Sequence, residues 1–249
     1  MLVDHIQTQE MKANMERVNP GSFDVKYSDD RKLQTAKDSM VDARISIAVD
    51  SNVLDKVLES GRFKSQFETN TSKGTLSFKH RSENDTFQLG YHPSTDPEKR
   101  PIFGYATTGG VIDDQMLHTV KQYGAIQFIM KKDIEDRATY TTQDSLSYPG
   151  MKPAPFGVPS ANAGRDPAND YSYAEVQMHG GVSVGDVDYA VIKVGTNAGN
   201  AVSEEEFARV SEMLAGANIQ VTRVEVGQVF DVKTGQAVTD TTPVEESVV

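Results

Sequence analysis

The sequence predicts an α+β fold: an antiparallel-rich mixed sheet core with a few short helices. Three observations carry that prediction. Short alternating or wholly apolar stretches recur along the chain, at Arg44 to Val49, Ala125 to Met130, Arg137 to Thr142, Tyr173 to Met178 and Asp186 to Val194. The helical patterns between them are brief and end at glycines. Strand and helix alternate too irregularly for a doubly wound parallel sheet.

Taken in order, residues 1–40 are polar and read as an arm or partner-binding segment ahead of a single domain over 41–232. RISIAV (44–49) alternates as a strand. Asp50 or Ser51 then caps a helix carrying Val53, Leu54, Val57 and Leu58, stopped by Gly61. Residues 61–74 form a hydroxyl- and amide-rich segment around two phenylalanines, and 78–100 read as charged and irregular. PIFGYAT is a strand, and a short helix over 113–122 points Met116, Leu117 and Val120 inward. AIQFIM and RATYTT are strands, and the proline-rich 147–171 is a long loop. After the strands near 173–178 and 186–194, Ser203 and Glu206 open a helix that Gly216 stops. A last strand runs from Ile219 to Val226, and 233–249 read as an acidic, disordered tail.

The 249 residues are 37% hydrophobic, enough for a real core, and carry a formal net charge of -11. That charge argues against nucleic acid or an anionic membrane as the main partner. The absence of cysteine removes disulfides, thiolate metal sites and a cysteine nucleophile. No signal-peptide pattern or long apolar run is present, which predicts a soluble protein of the cytoplasm. The five histidines lack metal-protease spacing, so no metal site is expected.

YSYAEVQMHGG (171–181) is the most unusual stretch. As a strand it places Ala174, Val176 and Met178 on one face and Tyr173, Glu175, Gln177 and His179 on the other. An aromatic hydroxyl, a carboxylate, an amide and an imidazole in a row can line a cleft, with Glu175 catalytic and its neighbours about 7 Å away orienting it. The plainer reading is the polar outer face of an edge strand. Phe67 to Gly74 can form a substrate-binding turn whose hydroxyls and amides hold a ligand, or a plain hydroxyl-rich hairpin turn. Thr141, Asp144 and Ser145 make a similar polar corner. Arginines 44, 62, 81, 100 and 137 are candidates for a phosphate clamp. A glycosidase reading would pair Glu175 with Glu68 or Asp144.

The ordered blocks SQFETNTSKG (65–74), Arg81, RPIFGY (100–105), QYGAIQFIMKKDIEDRATYTTQDS (122–145) and YAEVQMHGGVSVGDVDYAVI (173–192) resemble a bacterial and phage domain family of unknown function, over about residues 57–195. Phe103, Val176 and Lys73 depart from that family's usual residues. The resemblance implies a phage-associated protein, in the host cytoplasm or the virion, with phage head proteins among its partners. A second resemblance is to the arginine–serine–glutamate class of ADP-ribosyltransferases, carried by Arg44, Thr71-Ser72 and Glu175 in that order. It implies an ADP-ribosyltransferase-like fold, NAD as substrate and a protein acceptor. Glu175, Gln177 and Tyr173 would be catalytic, and Arg44, Arg81, Gln66, Thr71, Ser72, Ser145 and His179 would hold the NAD. Tyr173 stands where that class has Glu or Gln, and Arg44 lies only 28 residues before Ser72, which leaves Arg62 and Arg81 open as the phosphate ligand. The reading from a different class is a non-enzymatic, virion- or head-associated structural or accessory protein, in which the same residues form a hydrogen-bond network.

Overall fold

The computed structural model describes residues 42–70, 78–141, 145, 153–157, 174–195 and 201–239. In chain order the helices are α1 (Leu54–Ser60), α2 (Gln66–Thr69), α3 (Phe78–Leu89), α4 (Asp114–Val120) and α5 (Glu204–Gly216). The strands are β1 (Ile45–Val49), β2 (Arg62–Phe63), β3 (Ile102–Ala106), β4 (Val111–Ile112), β5 (Ile126–Met130), β6 (Ala138–Thr141), β7 (Ala154–Pro155), β8 (Ala174–Met178), β9 (Val182–Ser183), β10 (Val187–Val194), β11 (Gln220–Glu225), β12 (Gln228–Asp231) and β13 (Gln236–Thr239). Eight of these make one sheet in the order β11-β10-β5-β1-β3-β8-β6-β7. Within it only the β10–β11 pair is parallel, joined through α5, so the fold is α+β with a largely antiparallel sheet.

Local chemistry explains the element ends. Asp50 accepts a hydrogen bond from Asn52 N ahead of α1, and Gly61 ends that helix with φ 68°. Ser203 Oγ accepts from Glu206 N and starts α5. Gly124, at φ 135°, lies against β1: a Cβ there would sit 2.1 Å from Val49 C. Only glycine fits that approach.

The period-2 pattern gives the sheet two different faces. One is apolar across its width, with Ile45, Ile47, Val49, Ile126, Phe128, Met130, Ala174, Val176, Met178, Ala190, Ile192 and Val194 in a single cluster. Leu54 of α1 and Val210 and Leu214 of α5 complete it, each fully buried and each contributing about 2 kcal/mol. The opposite face is divided. Toward β10 and β11 it packs a second apolar cluster of Ile112, Leu117, Ile129, Val191, Val224 and Phe230. Toward β3, β8 and β6 it is polar, and α3 packs over it.

Four expectations need correction. Residues 78–100 are not irregular throughout, because Phe78–Leu89 is a twelve-residue helix. Its buried stripe is Arg81, Asn84, Asp85, Gln88 and Leu89, so a search for apolar periodicity misses it. The loop over 147–171 includes a paired piece, β7, which bonds to β6. The tail does not begin at 233, since β12 and β13 form a hairpin that carries ordered chain to Thr239. Finally, β8 is not an edge strand, since β3 and β6 flank it. The arm over 1–40 and the rest of the proline-rich loop lie outside the described residues.

Gly124→Ala is expected to lower the unfolding free energy by about 3 kcal/mol in urea denaturation, because the added methyl meets β1 backbone and the φ is strained. An unchanged midpoint would show that the close approach to β1 is not obligatory.

Candidate functional site

Glu175 and Gln177 sit mid-sheet. Glu175 is paired with Tyr105 on β3 and Thr141 on β6, and Gln177 with Phe103 and Thr139. Because both neighbouring strands are present and α3 lies above, Glu175 is only 4% exposed, and Gln177 and His179 are fully buried. Buried polar groups persist only when hydrogen-bonded, and these are. Gln177 Nε2 donates to Glu175 Oε1 at 2.9 Å and to Thr141 Oγ1 at 3.3 Å, while its Oε1 accepts from Thr139 Oγ1 at 3.0 Å. His179 has Thr139 Oγ1 at 2.9 Å from Nε2 and Tyr91 OH at 2.8 Å from Nδ1, with the Tyr91 ring stacked on its own. Burial and the Asp85 charge push the Tyr91 hydroxyl above its ordinary pKa against the pull of Arg100, so it is neutral.

Helix α3 supplies the other half. Arg81 lies 4.2 Å above the Phe103 ring and donates through NH1 to Ser145 Oγ at 3.3 Å. Ser145 in turn donates its backbone N–H to Glu175 Oε1 at 3.4 Å and accepts from Gln88 Nε2 at 2.9 Å through its carbonyl. Arg100, 1% exposed, pairs with Asp85 at 3.5 Å, donates to the carbonyls of His92 and Pro93, and lies 4.5 Å over Phe67. Burial pushes the Asp85 carboxyl up to about 7, with the Glu175 charge adding to the rise and Arg81 and Arg100 opposing it. Four buried atoms of this layer have no hydrogen-bond partner among the described residues: Arg81 Nε, Asn84 Nδ2, Asp85 Oδ1 and Arg100 Nε. Three donors and one acceptor left unmatched in one small layer are what a site built for a polar ligand or ordered water presents.

The structure thus brings together five of the expected site residues: Glu175, Gln177, His179, Arg81 and Ser145. Arg44 is not among them. Its NH2 donates to Met130 O at 2.6 Å and Asp188 at 2.8 Å, toward β5 and β10 and so away from β3 and β8. Gln66 is half-buried in α2, and no described contact joins it to Glu175. Tyr173, Thr71 and Ser72 lie outside the described residues, as does Asp144. Glu68 is committed elsewhere: it closes a capping box with Ser65 and holds Arg62 through two hydrogen bonds, so the glycosidase pair with Glu175 does not form. Arg137 holds the turn after β8 through the His179 and Gly181 carbonyls and pairs with Asp186 at 3.3 Å. Asn84, Asp85, Gln88 and Tyr91 escaped the sequence reading. The signal for the first three was the spacing of Arg81, Asn84, Asp85 and Gln88 along one helical face.

Comparison with known proteins gives a coarse frame. Residues 43–154 match the model of a family described as a protein of unknown function (DUF3626). That span contains Arg81, Asp85, Arg100 and Ser145, and it ends before Glu175. No curated protein matches the chain. Among solved structures the chain is similar to Thermosipho africanus DarTG in complex with ADP-ribose, with TM-score 0.45 and 9% identity over 72% of this chain. The match covers 49% of that chain, so this chain spans about half its length. Among the described residues no helix is long and apolar enough to cross a membrane, and no three His, Asp or Glu side chains are placed to hold a metal ion.

A carboxyl raised to about 7 means that the folded state binds a proton the unfolded chain has released, from about pH 4 upward. The Asp85 contribution to stability is therefore lost as pH rises from about 4 through 7. Relative to Asp85→Asn, the wild type is expected to lose up to about 1.4 kcal/mol per pH unit across that window in urea denaturation. A pH-independent difference would show that Asp85 is ionised in the fold throughout.

Proposed function

We propose that the protein is an NAD-utilising transferase of mono-ADP-ribosyltransferase type in which Glu175 is the catalytic carboxylate. The observation that supports this reading is the hydrogen-bonded series Arg81–Ser145–Glu175, an arginine, a serine and a glutamate joined across α3 and β8. The series links the three residue types of the class the sequence resembles, the serine meeting the carboxylate through its backbone N–H, and in this reading Arg81 and Ser145 take the roles offered to Arg44 and Ser72.

The residues suit the substrate. Among the described residues Arg81 Nε and Asn84 Nδ2 are buried donors without partners, a fit to the oxygens of a pyrophosphate. Glu175, oriented by the Gln177 amide and the Ser145 N–H, offers a carboxylate to the ribose 2′-hydroxyl. As the bond between C1′ and the nicotinamide nitrogen breaks, nicotinamide leaves with the bonding pair and positive charge grows on the ribose. A fixed carboxylate in a water-poor layer stabilises that oxocarbenium-like state. A nucleophile of the acceptor protein then attacks C1′ and releases its proton to solvent. At 4% exposure Glu175 meets a nucleotide only when the groups above it shift, so substrate entry involves a rearrangement over β8.

A non-enzymatic structural or accessory role is the second reading, and the same burial favours it. A network of this kind rigidifies a fold without doing chemistry.

Nicotinamide release from NAD separates the two. Glu175→Gln is expected to lower kcat at least about 100-fold, and Arg81→Lys to raise KM more than it lowers kcat. Equal rates in wild type and Glu175→Gln, or neither NAD binding nor release by the wild type, would sink the transferase reading.

A further inference from the structure

The bonds around His179 fix their own direction. Gln177 Nε2 lies 2.9 Å from the Glu175 carboxylate, an acceptor when ionised, so the amide nitrogen faces Glu175 and the amide oxygen faces Thr139. Thr139 Oγ1 therefore donates its one proton to Gln177 Oε1 at 3.0 Å. With that proton spent, Thr139 can only accept from His179 Nε2 at 2.9 Å, so Nε2 carries the imidazole proton. In the neutral ring Nδ1 is then an acceptor, and it takes the Tyr91 hydroxyl proton at 2.8 Å.

We infer that Tyr91, His179 and Thr139 are positioning residues for Glu175, acting through a one-way hydrogen-bond relay that runs Tyr91 → His179 → Thr139 → Gln177 → Glu175. This rests on the reading of Glu175 as the catalytic carboxylate. The relay spans more than 80 residues of sequence and three elements, the turn after α3, β6 and β8 with its C-terminal end. Every bond points toward the carboxylate, so each polarises the next and the last delivers an N–H to Glu175 Oε1 in a fixed place. Thr139, His179, Gln177 and Glu175 are buried and Tyr91 is half-buried, so the members have few alternatives. Gln177 uses its second amide N–H on Thr141, and the Tyr91 ring is held parallel to the imidazole, 5.9 Å away at 19°. Both imidazole nitrogens are therefore occupied by protein, so His179 orients the site rather than binding the nucleotide, a correction to its expected place among the NAD-holding residues. Arg137 restrains the same corner from outside by binding the His179 carbonyl at 2.6 Å.

The test uses the full chain labelled with 15N-histidine, and it reads the His179 tautomer by long-range 1H–15N NMR. Wild type is expected to show a protonated Nε2 and an unprotonated Nδ1. Thr139→Val, nearly isosteric, removes the acceptor and is expected to shift the ring toward mixed tautomers, whereas Thr139→Ser restores the wild-type pattern. Tyr91→Phe keeps the stacked ring and is expected to move only the Nδ1 resonance. In nicotinamide release, Thr139→Val is expected to lower kcat by up to about 100-fold with little change in KM for NAD, and Thr139→Ser to recover it. A protonated Nδ1 in the wild type, or a Thr139→Val protein with unaltered tautomer and kcat, would overturn the relay. A wild type with the expected tautomer but no NAD turnover would leave the relay standing and overturn the transferase reading alone.

Discussion

Much of this molecule follows from the burial of one carboxylate. Glu175 lies mid-sheet on β8 with strands on both sides, and a helix packs across its face. An uncompensated charge in such a place would cost several kcal/mol, so its surroundings must be polar, ordered and mutually bonded. This requirement turns α3 inside out. Arg81, Asn84, Asp85 and Gln88 face the sheet, while Phe78 and Phe87 remain 38% and 59% exposed. Arg81 and Arg100 stand beside Glu175 and, once it ionises, Asp85 within the layer, and the rings of Phe103, Phe67 and Tyr91 lie against the two guanidinium groups.

The sheet divides its labour between its two faces. The apolar face with α1 and α5 is a close-packed body that fixes the strand registers. Because register fixes which side chains stand opposite one another, that packing is what sets Tyr105, Glu175 and Thr141 in one row and Phe103, Gln177 and Thr139 in the next. A slip of one residue in β8 would exchange Glu175 and Gln177 for Ala174, Val176 and Met178. The polar layer thus borrows its precision from hydrophobic packing on the far side of the same strands.

The sequence displayed the halves of the site unequally. The alternation in YAEVQMH put Glu175, Gln177 and His179 on one face, and the structure keeps them there, since strand periodicity is local and survives any tertiary context. Arg81 and Ser145 were visible as candidates but not as companions, because 64 residues and four strands separate them. Chain order points to Arg44, yet Asp188, which is 144 residues away, holds it on the other side of β1. Helix α3 was hidden by its own chemistry, for its buried stripe is polar and the usual apolar signal is absent.

By itself the sequence determined the class of fold, the strands β1, β3, β5, β6, β8, β10 and β11, the glycine stop of α1, the serine cap of α5, and the polar face of β8. Each of these depends on residues within a few positions of one another, where propensity, periodicity and side-chain capping act directly. Only the tertiary structure decided that β8 is interior rather than an edge, that Arg81 rather than Arg44 is linked to Glu175 through Ser145, and that His179 spends both nitrogens on the protein. Those outcomes depend on which strands pair and which helix covers them, and pairing is settled by burying apolar area across the whole chain. The carboxylate's environment is a by-product of that global packing, so no local reading of Glu175 and its neighbours could have supplied it.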